Sequence, residues 1–308
     1  MSALPRGRPA PAAEPSAALA AGETGGLTDG LLIVGPGLIW GASFLFIAEG
    51  LEAVGPYGVT FVRLLVGFAT LALVPAARRR VPRAAWPGIA RLGLVWMALP
   101  LSCFPFAEQR VSSALTGMLN GANPLFTAAV SALLERRVPS RGILAALGVG
   151  FAGVVLVAWP SVGEGRSSAV GVALILVALV CYGWALNLAR PLQQSHGALP
   201  VLWRAQALAL ALTAPLGLPE AIDVHWSLGP LLALLALGAL GTGAAYVLLA
   251  VAAGRLGATR ASATTFLIPP VALALGVVVR GEAVAPLSIA GAAVCVGGAW
   301  LVRRAKPH

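Results

Sequence analysis

The chain has 308 residues, 58% of them hydrophobic and only 10% charged, and its mean hydropathy is +0.88. Soluble domains carry about 25% charged residues, so this composition excludes a soluble protein and predicts an all-α integral membrane protein. The net charge of +10 does not indicate a nucleic-acid partner, because the basic residues lie in short loops between apolar runs.

Residues 1–30 form a polar segment rich in proline and alanine, without the continuous apolar core of a secretory signal. We predict a disordered cytoplasmic tail here and a basic cytoplasmic tail at residues 303–308. Ten apolar runs lie between the tails, at residues 31–48, 57–77, 88–107, 113–134, 143–159, 169–188, 201–218, 229–251, 261–279 and 287–302. A helix rises about 1.5 Å per residue, so these runs predict ten transmembrane helices across a lipid bilayer with a core of roughly 30 Å.

The distribution of basic residues predicts the orientation. The loops after the second, fourth, sixth and eighth runs, together with the C-terminal tail, hold thirteen basic residues, whereas the opposite loops hold three. Cytoplasmic loops carry the excess of arginine and lysine. Both termini are therefore expected in the cytoplasm, with the chain in the cell membrane.

Matching residues recur at an offset of about 140 positions, which predicts an internal repeat. Two pairs share the offset: Trp40 with Tyr182, and Arg63 with Arg204. We predict one five-helix repeat at residues 31–160 and a second at residues 161–302. Because each repeat has an odd number of spans, the two must be inserted upside down relative to each other, as in carriers with a site near the midplane.

The ninth run is interrupted by Pro269 and Pro270, which remove backbone donors at membrane depth. The hydroxyls of Thr264 and Thr265 precede this break by one turn. Lipid cannot satisfy the freed carbonyls, so the break requires protein groups or a water-filled cavity. We interpret these threonines as candidate substrate-binding residues; a kink that serves only helix packing is the alternative.

The fourth run carries two amides directly before a proline. Asn120 and Asn123 lie three residues apart, hence on one face of a helix, and Pro124 follows. They offer donors and acceptors to a polar substrate without burying a charge. Hydrogen bonding between helices is the other use of such residues.

Arg63 is the charged residue best placed for substrate binding. It lies six residues into the second run, roughly 9 Å below the outer surface, where a guanidinium usually faces protein or water. One interpretation is that it holds a substrate carboxylate in a bidentate contact. The other is that it extends outward or pairs with Glu49 or Glu52.

Further polar and aromatic side chains within the runs are candidates for lining the same cavity. They are Trp40, Ser43, Phe104, Tyr182, Trp184, Asn187 and Tyr246. The aromatic rings could stack on an apolar part of the substrate. Helix packing, or a place in the aromatic belt at the membrane interface, is the alternative for each ring.

Two acids are close enough to the membrane to carry protons, Glu49 and Glu108. Both stand near the outer ends of their runs, and we expect both carboxylates to lie in water at the interface. No carboxylate is expected at mid-membrane depth, which favours a facilitator, or coupling through interfacial groups, over a carrier with a proton site at mid-membrane depth.

Enzymatic readings find little support. The three histidines lie in loops or the tail, and the cysteines fall inside apolar runs without metal-ligand spacing. A phosphate-binding glycine loop is also missing from the sequence. We expect no enzymatic activity, no metal and no cofactor.

Several of these features occur together in the order typical of one family. Trp40-Gly41 and Arg63 come first, and a Leu-Gly-Ala-Thr-x-Ala run from Leu256 to Ala261 then precedes Pro269 and Gly281-Glu282. This pattern resembles the drug/metabolite transporter superfamily, in particular its ten-span members built from two EamA domains. The first half departs from the pattern, because no glycine precedes Glu135.

The resemblance implies a secondary transporter, an exporter or facilitator of a small metabolite such as an amino acid, with its cavity between the two halves and alternating access to it. For the assembly, we expect a monomer or homodimer in the lipid bilayer. An efflux carrier for drug-like or lipid-like cations is an alternative, and so is a membrane receptor or assembly factor that transports nothing.

Overall fold

The computed structural model describes residues 15–136, 139–163, 166–222, 224, 226–256 and 261–304. Within these ranges the chain is helical and contains no β-strand, so the prediction of an all-α membrane protein is confirmed. Six described helices are long and apolar enough to cross a bilayer, and three shorter apolar helices accompany them. Large side chains such as Leu31, Leu133 and Val278 are exposed on the helices, as expected of surfaces that lipid covers.

The helices follow one another with short connections. In chain order they are α1 Pro15–Gly50, α2 Pro56–Ala72, α3 Trp86–Leu92, α4 Leu99–Glu108, α5 Ser113–Asn120, α6 Asn123–Glu135, α7 Arg141–Gly163, α8 Arg166–His196, α9 Ala198–Ile222, α10 Leu228–Ala236, α11 Ala245–Leu256, α12 Ile268–Arg280 and α13 Pro286–Arg304.

The N-terminal tail differs from its prediction over part of its length. Residues 15–30 were expected to be disordered, but α1 begins at Pro15 and continues without a break into the first apolar run. The segment is rich in alanine, which has the highest helix propensity. The membrane-length apolar stretch begins at Asp29. Residues 1–14 and 305–308 of the predicted tails lie outside the described residues.

The fourth and ninth runs are both broken, as their prolines predict. The fourth run is split into α5 and α6 by Gly121 and Ala122, and Pro124 lies in the first turn of α6. The ninth begins with a 3-10 helix, Ser262–Leu267, and α12 follows with its two prolines in its first turn. Proline is accepted there because the first amides of a helix have no intrahelical partner.

The third and eighth runs share a different irregularity. A π-helical stretch, Gly93–Ala98, joins α3 to α4, and a second, Leu237–Ala244, joins α10 to α11. A π-helical turn bonds residues five apart and is wider than an α-helical turn, so it changes which side chains and carbonyls face a neighbour. The same irregularity therefore occurs at corresponding places in the two halves of the chain.

The principal helix contacts join one half of the chain to the other. Helix α2 packs on α9, α4 on α8, and α5 on α12. Helix α1 lies against α10, α11 and α12, and α7 lies along α13. Helix α8 also packs on α6, and with this contact included, exchanging each helix for its counterpart in the other half reproduces the set. The halves are interlocked rather than placed side by side.

Helices α7 and α13 approach each other more closely than side chains would permit. A Cβ added to Gly298 would lie 2.4 Å from the Gly150 backbone, and one added to Gly153 would lie 2.4 Å from the backbone nitrogen of Cys295. Such small-residue contacts let apolar helices associate through backbone packing. Ser288 adds a hydrogen bond, because its hydroxyl donates to the carbonyl of Val157 at 2.9 Å.

The predicted orientation can be tested with two matched serines, both exposed and both near the end of a span. Ser195 is near the end of α8 and Ser227 precedes α10. We expect a membrane-impermeant maleimide added to intact cells to label Ser227→Cys and to leave Ser195→Cys unlabelled until the membrane is opened. The protein without an added cysteine controls for the native thiols. The reverse pattern would show that the orientation is wrong.

Candidate functional site

A cavity of about 280 Å³ lies between the two halves of the chain. This volume is close to the lower end of the range for small-molecule pockets, about 300–1,000 Å³. Ten of the twelve residues predicted to bind substrate line it: Trp40, Ser43, Arg63, Phe104, Asn120, Asn123, Tyr182, Tyr246, Thr264 and Thr265. The structure thus brings together side chains from α1, α2, α4, α5, α6, α8, α11 and the 3-10 helix before α12.

Two of the predicted residues do not line the cavity. Trp184 is 42% exposed; it follows Tyr182 by two residues, and a helix turns roughly 200° over that distance, so the two rings face opposite sides. Asn187 is used within the fold, because its amide donates to the carbonyls of Gly183 at 2.8 Å and Thr127 at 3.3 Å. Asn187 therefore joins α8 to α6, which is the alternative use of a buried amide.

Eight further described residues line the cavity and were not predicted from the sequence. They are Phe44, Ile47, Trp96, Leu186, Leu249, Ala253, Ala261 and Ile268. All except Trp96 lie three, four or seven residues from a selected residue, the spacing that places side chains on one helix face. That periodicity was available in the sequence. Trp96 lies in the first π-helical stretch, where α-helical spacing does not apply.

Arg63 is buried at the centre of this arrangement, with 6% of its surface exposed. Its Nε donates to Oγ1 of Thr242 at 2.8 Å. Within the described residues it forms no ion pair. The alternative that it pairs with Glu49 or Glu52 is wrong, because both of these carboxylates bind Arg280 instead.

The second π-helical stretch holds Arg63 and two further side chains in place. Trp40 Nε1 donates to the carbonyl of Gly241 at 2.9 Å, and Gln206 Nε2 donates to the carbonyl of Thr242 at 2.7 Å. The Thr242 hydroxyl in turn donates to the carbonyl of Leu237, five residues earlier, at 3.3 Å. Side chains from α1, α2 and α9 therefore converge on a single widened turn.

The other polar groups of the cavity differ in how fully they are bonded. Ser43 donates to the carbonyl of Ile39 at 3.0 Å, and Thr264 donates to the carbonyl of Ile33 at 2.9 Å. Asn120 is different: its Oδ1 is buried and has no hydrogen-bond partner within the described chain. A buried acceptor without a donor is costly and rare, so this oxygen is available to a ligand.

Aromatic rings form much of the apolar lining. They make two groups of three rings, and in each group one ring contacts the other two. Tyr246 contacts Trp40 edge-on at 5.4 Å and Trp96 at 5.8 Å between ring centroids. Phe104 contacts Phe44 at 5.6 Å and Tyr182 at 5.9 Å. These distances are within the range in which aromatic pairs attract each other. The rings thereby support each other and present apolar surface to the cavity.

The cavity extends toward one end of the helices. Its lining reaches Ala253, three residues before α11 ends, and Ala261 at the start of the ninth run. In the predicted orientation this is the cytoplasmic end. Toward the opposite end, which is the predicted outer end, the last residue of α1 that lines the cavity is Ile47.

Between Ile47 and the predicted outer end, contacts between charged residues join α1 to α12. Arg280 at the end of α12 binds Glu49 and, at 3.1 Å, Glu52. Glu282 accepts hydrogen bonds from the Ser113 amide and hydroxyl at 2.9 and 2.8 Å, and from the next amide at 2.8 Å. Its carboxylate thus caps the N-terminus of α5, a position that favours negative charge.

The first-half glutamate that corresponds to Glu282 is bonded differently. Glu135 is exposed and accepts a hydrogen bond from the hydroxyl of Ser131, one turn earlier in its own helix, at 3.1 Å. Residues 257–260, which belong to the Leu-Gly-Ala-Thr motif before the ninth run, lie outside the described residues.

A second carboxylate of the second half also caps a first-half helix: Glu220 accepts a hydrogen bond from the Gly58 amide in α2 at 2.7 Å.

Glu108 differs from its prediction. Its carboxylate was expected in water at the interface, yet both carboxyl oxygens are buried, and neither has a hydrogen-bond partner in the described part of the chain. The residue borders a second cavity of about 280 Å³, on the predicted outer side. The turn between α4 and α5, Pro160 in α7 and the segment before α13 complete its wall.

Comparison with known proteins identifies the family. The family described as EamA-like transporter family matches residues 29–159 and again residues 169–304. The chain is 27% identical to the "Probable terminal-alkyne amino-acid exporter" of Streptantibioticus cattleyicolor over 86% of this chain and 90% of that protein. It is also 27% identical to the "Uncharacterized transporter YdfC" of Bacillus subtilis, over 84% and 86% respectively. A solved crystal structure covers 88% of this chain and 94% of its own, with a TM-score of 0.61 and 21% identity, which shows the shared fold.

The contribution of the Thr242–Arg63 hydrogen bond to stability can be measured with Thr242→Val, which removes the hydroxyl at nearly constant side-chain volume. We expect a loss of about 1–3 kcal/mol in the free energy of unfolding, because a buried donor loses its partner. Thr213→Val is the matched control. The Thr213 hydroxyl is also buried but donates only to the preceding turn of its own helix, so a smaller loss is expected. Equal losses in the two variants would contradict the role of Thr242.

Proposed function

This chain belongs to the EamA-like transporter family, and we propose that it exports a small amphipathic carboxylate, such as an amino acid or a related metabolite, by alternating access. It is a multi-pass membrane transporter, since its apolar helices and the named relatives agree on this. One observation carries the proposal: the buried guanidinium of Arg63, which has no neutralising partner among the described residues, faces an aromatic cavity.

The charge of Arg63 supports a substrate with a carboxylate. Of the described residues that line the cavity, Arg63 is the only charged one. A cation in a poorly hydrated environment attracts an anion more strongly than one in bulk water. Its Nε is already bonded to Thr242, which fixes the plane of the guanidinium and leaves its other N–H groups available for a carboxylate.

The rest of the lining suits the other parts of an amino acid. The Asn120 Oδ1, which lacks a donor, can accept a hydrogen bond from a substrate ammonium group. The Trp40, Tyr246 and Phe104 rings offer apolar surface to a side chain. The "amino-acid exporter" among the relatives agrees with a substrate of this class.

The relation between the two halves supports alternating access. We propose ten spans in two inverted repeats, residues 31–160 and 161–302, with both termini in the cytoplasm of the cell membrane. Breaks in the fourth and ninth spans, π-helical stretches in the third and eighth, and helix contacts that persist on exchange of the halves are all consistent with this symmetry. The described conformation is then open to the cytoplasm and closed outside.

A drug-like cation is the second candidate substrate, and the rings of the cavity favour it because aromatic faces attract cations. Arg63 opposes it, since a second positive charge in the same cavity would be repelled. Neutralising Arg63 should therefore have opposite effects on the transport of a carboxylate and of a cation.

The proposed substrate class is tested by counterflow of labelled compounds into proteoliposomes, with a panel of neutral amino acids, monocarboxylates and aromatic cations. We expect counterflow of at least one compound that has a carboxylate. Arg63→Lys keeps the charge but loses the planar donor pair, and we expect it to reduce transport about tenfold, with a larger loss in Arg63→Ala.

Arg204→Ala is the matched control. Arg204 is a partly buried arginine that does not line the cavity, and its guanidinium donates to the carbonyl of Pro200 in its own helix. We expect it to transport nearly normally. Unchanged carboxylate transport in Arg63→Ala would remove Arg63 from the site, and counterflow of none of the panel would favour a receptor or assembly factor.

A further inference from the structure

Glu108 is a buried acid that the proposed substrate site does not use. It ends α4, and its two carboxyl oxygens are buried without a donor within the described chain. An ionised carboxylate in such a place would be desolvated with no bond in return, whereas a neutral carboxylic acid would lose much less. The surroundings therefore favour the protonated form.

The charged neighbours of Glu108 do not supply the missing partner. The groups that interact with it electrostatically are Glu282, Arg280 and Arg63. Arg280 is bonded to Glu49 and Glu52, and Arg63 is bonded to Thr242. Glu282 is itself negative and repels a second carboxylate.

Apart from Arg110, the remaining described residues named around Glu108 are uncharged. Helix α8, which packs along α4, presents Tyr182 to Phe104 one turn below. The wall of the outer cavity contains Leu115 from α5 and Ser288 from α13, and Arg110 is the charged residue nearest in the chain. The guanidinium of Arg110 donates to the carbonyl of Phe106 rather than to Glu108.

Glu108 lies between the two cavities. Glu108 borders the outer cavity, and Phe104, one helical turn away on the same helix, lines the substrate cavity. The acid also lies beside the contacts of Arg280 and Glu282 that close the outer end. A change that opens this end would bring water to the carboxyl group.

We propose that Glu108 is a proton-binding site whose occupancy follows the outer closure: it holds a proton while the outer end is closed and releases it when that end opens. The proton moves between the carboxyl group and water in the outer cavity, so no other reactant is required. By linkage, the state that binds the proton more tightly is favoured as the external pH falls. External acid therefore favours the closed outer end, and a rise in external pH favours opening.

Infrared spectroscopy of the full chain in lipid tests the protonated state directly, without any substrate. At neutral pH we expect a carbonyl stretching band of a carboxylic acid in the unmodified protein. The band should disappear in Glu108→Gln, persist in Glu108→Asp, and persist in Glu135→Gln, where an exposed glutamate at the other end of the fold is changed. A spectrum of the unmodified protein without this band would overturn the proposal, and so would an unchanged band in Glu108→Gln.

The link to opening rests on the alternating access proposed above, and it needs a separate measurement. Ala285→Cys places a thiol on the wall of the outer cavity, where an impermeant maleimide reports opening. We expect the labelling rate to rise more steeply with external pH than in Ala285→Cys/Glu108→Gln, which corrects for the chemistry of the thiol. Identical pH profiles would refute the link. The infrared and labelling measurements both use protein without substrate. If both give the expected results and the counterflow assay fails, only the proposed substrate class is rejected.

Discussion

The widened turn of residues 237–244 is the constraint on which the arrangement of the cavity depends. An α-helix keeps its carbonyls for its own amides, but a π-helical turn offers some of them to neighbours. Here the carbonyls of Gly241 and Thr242 accept from Trp40 and Gln206, and the Thr242 hydroxyl accepts from Arg63. A single local irregularity thus fixes an aromatic ring, an amide and a buried cation that come from three other helices.

Much of the fold could be predicted because membrane insertion leaves few solutions. Apolar runs, proline positions and the offset between Arg63 and Arg204 depend only on the order of residues, and the helices and the breaks at Gly121 and in residues 262–267 followed these signals. The ends of the helices were less predictable. Residues 15–30 are polar enough to suggest a tail, yet their alanine content continues α1 into them.

The candidate site was predictable where helical spacing is regular and unpredictable where it is not. Ten selected residues meet in one cavity, and Phe44 and Leu186 could have been added because they lie four residues after Trp40 and Tyr182. Trp96 could not, because the π-helical stretch around it shifts the facing of side chains. Glu108 shows the other limit: a position at the end of a span suggests water, and only the packing around α4 reveals that both oxygens are buried.

The close approach of α7 and α13 has a mechanical consequence for the rest of the molecule. A Cβ at Gly150 would lie 2.4 Å from Leu125, one residue after Pro124 in the broken fourth span, and Gly298 lies directly against the Gly150 backbone. Residue 150 thus lies between the backbone of α13 and the side chain of Leu125, which is in the same helix as Asn123 of the cavity lining. Adding even a methyl group there must displace one or the other, so a helix pair that does not line the cavity restrains the broken span that supplies Asn120 and Asn123 to it.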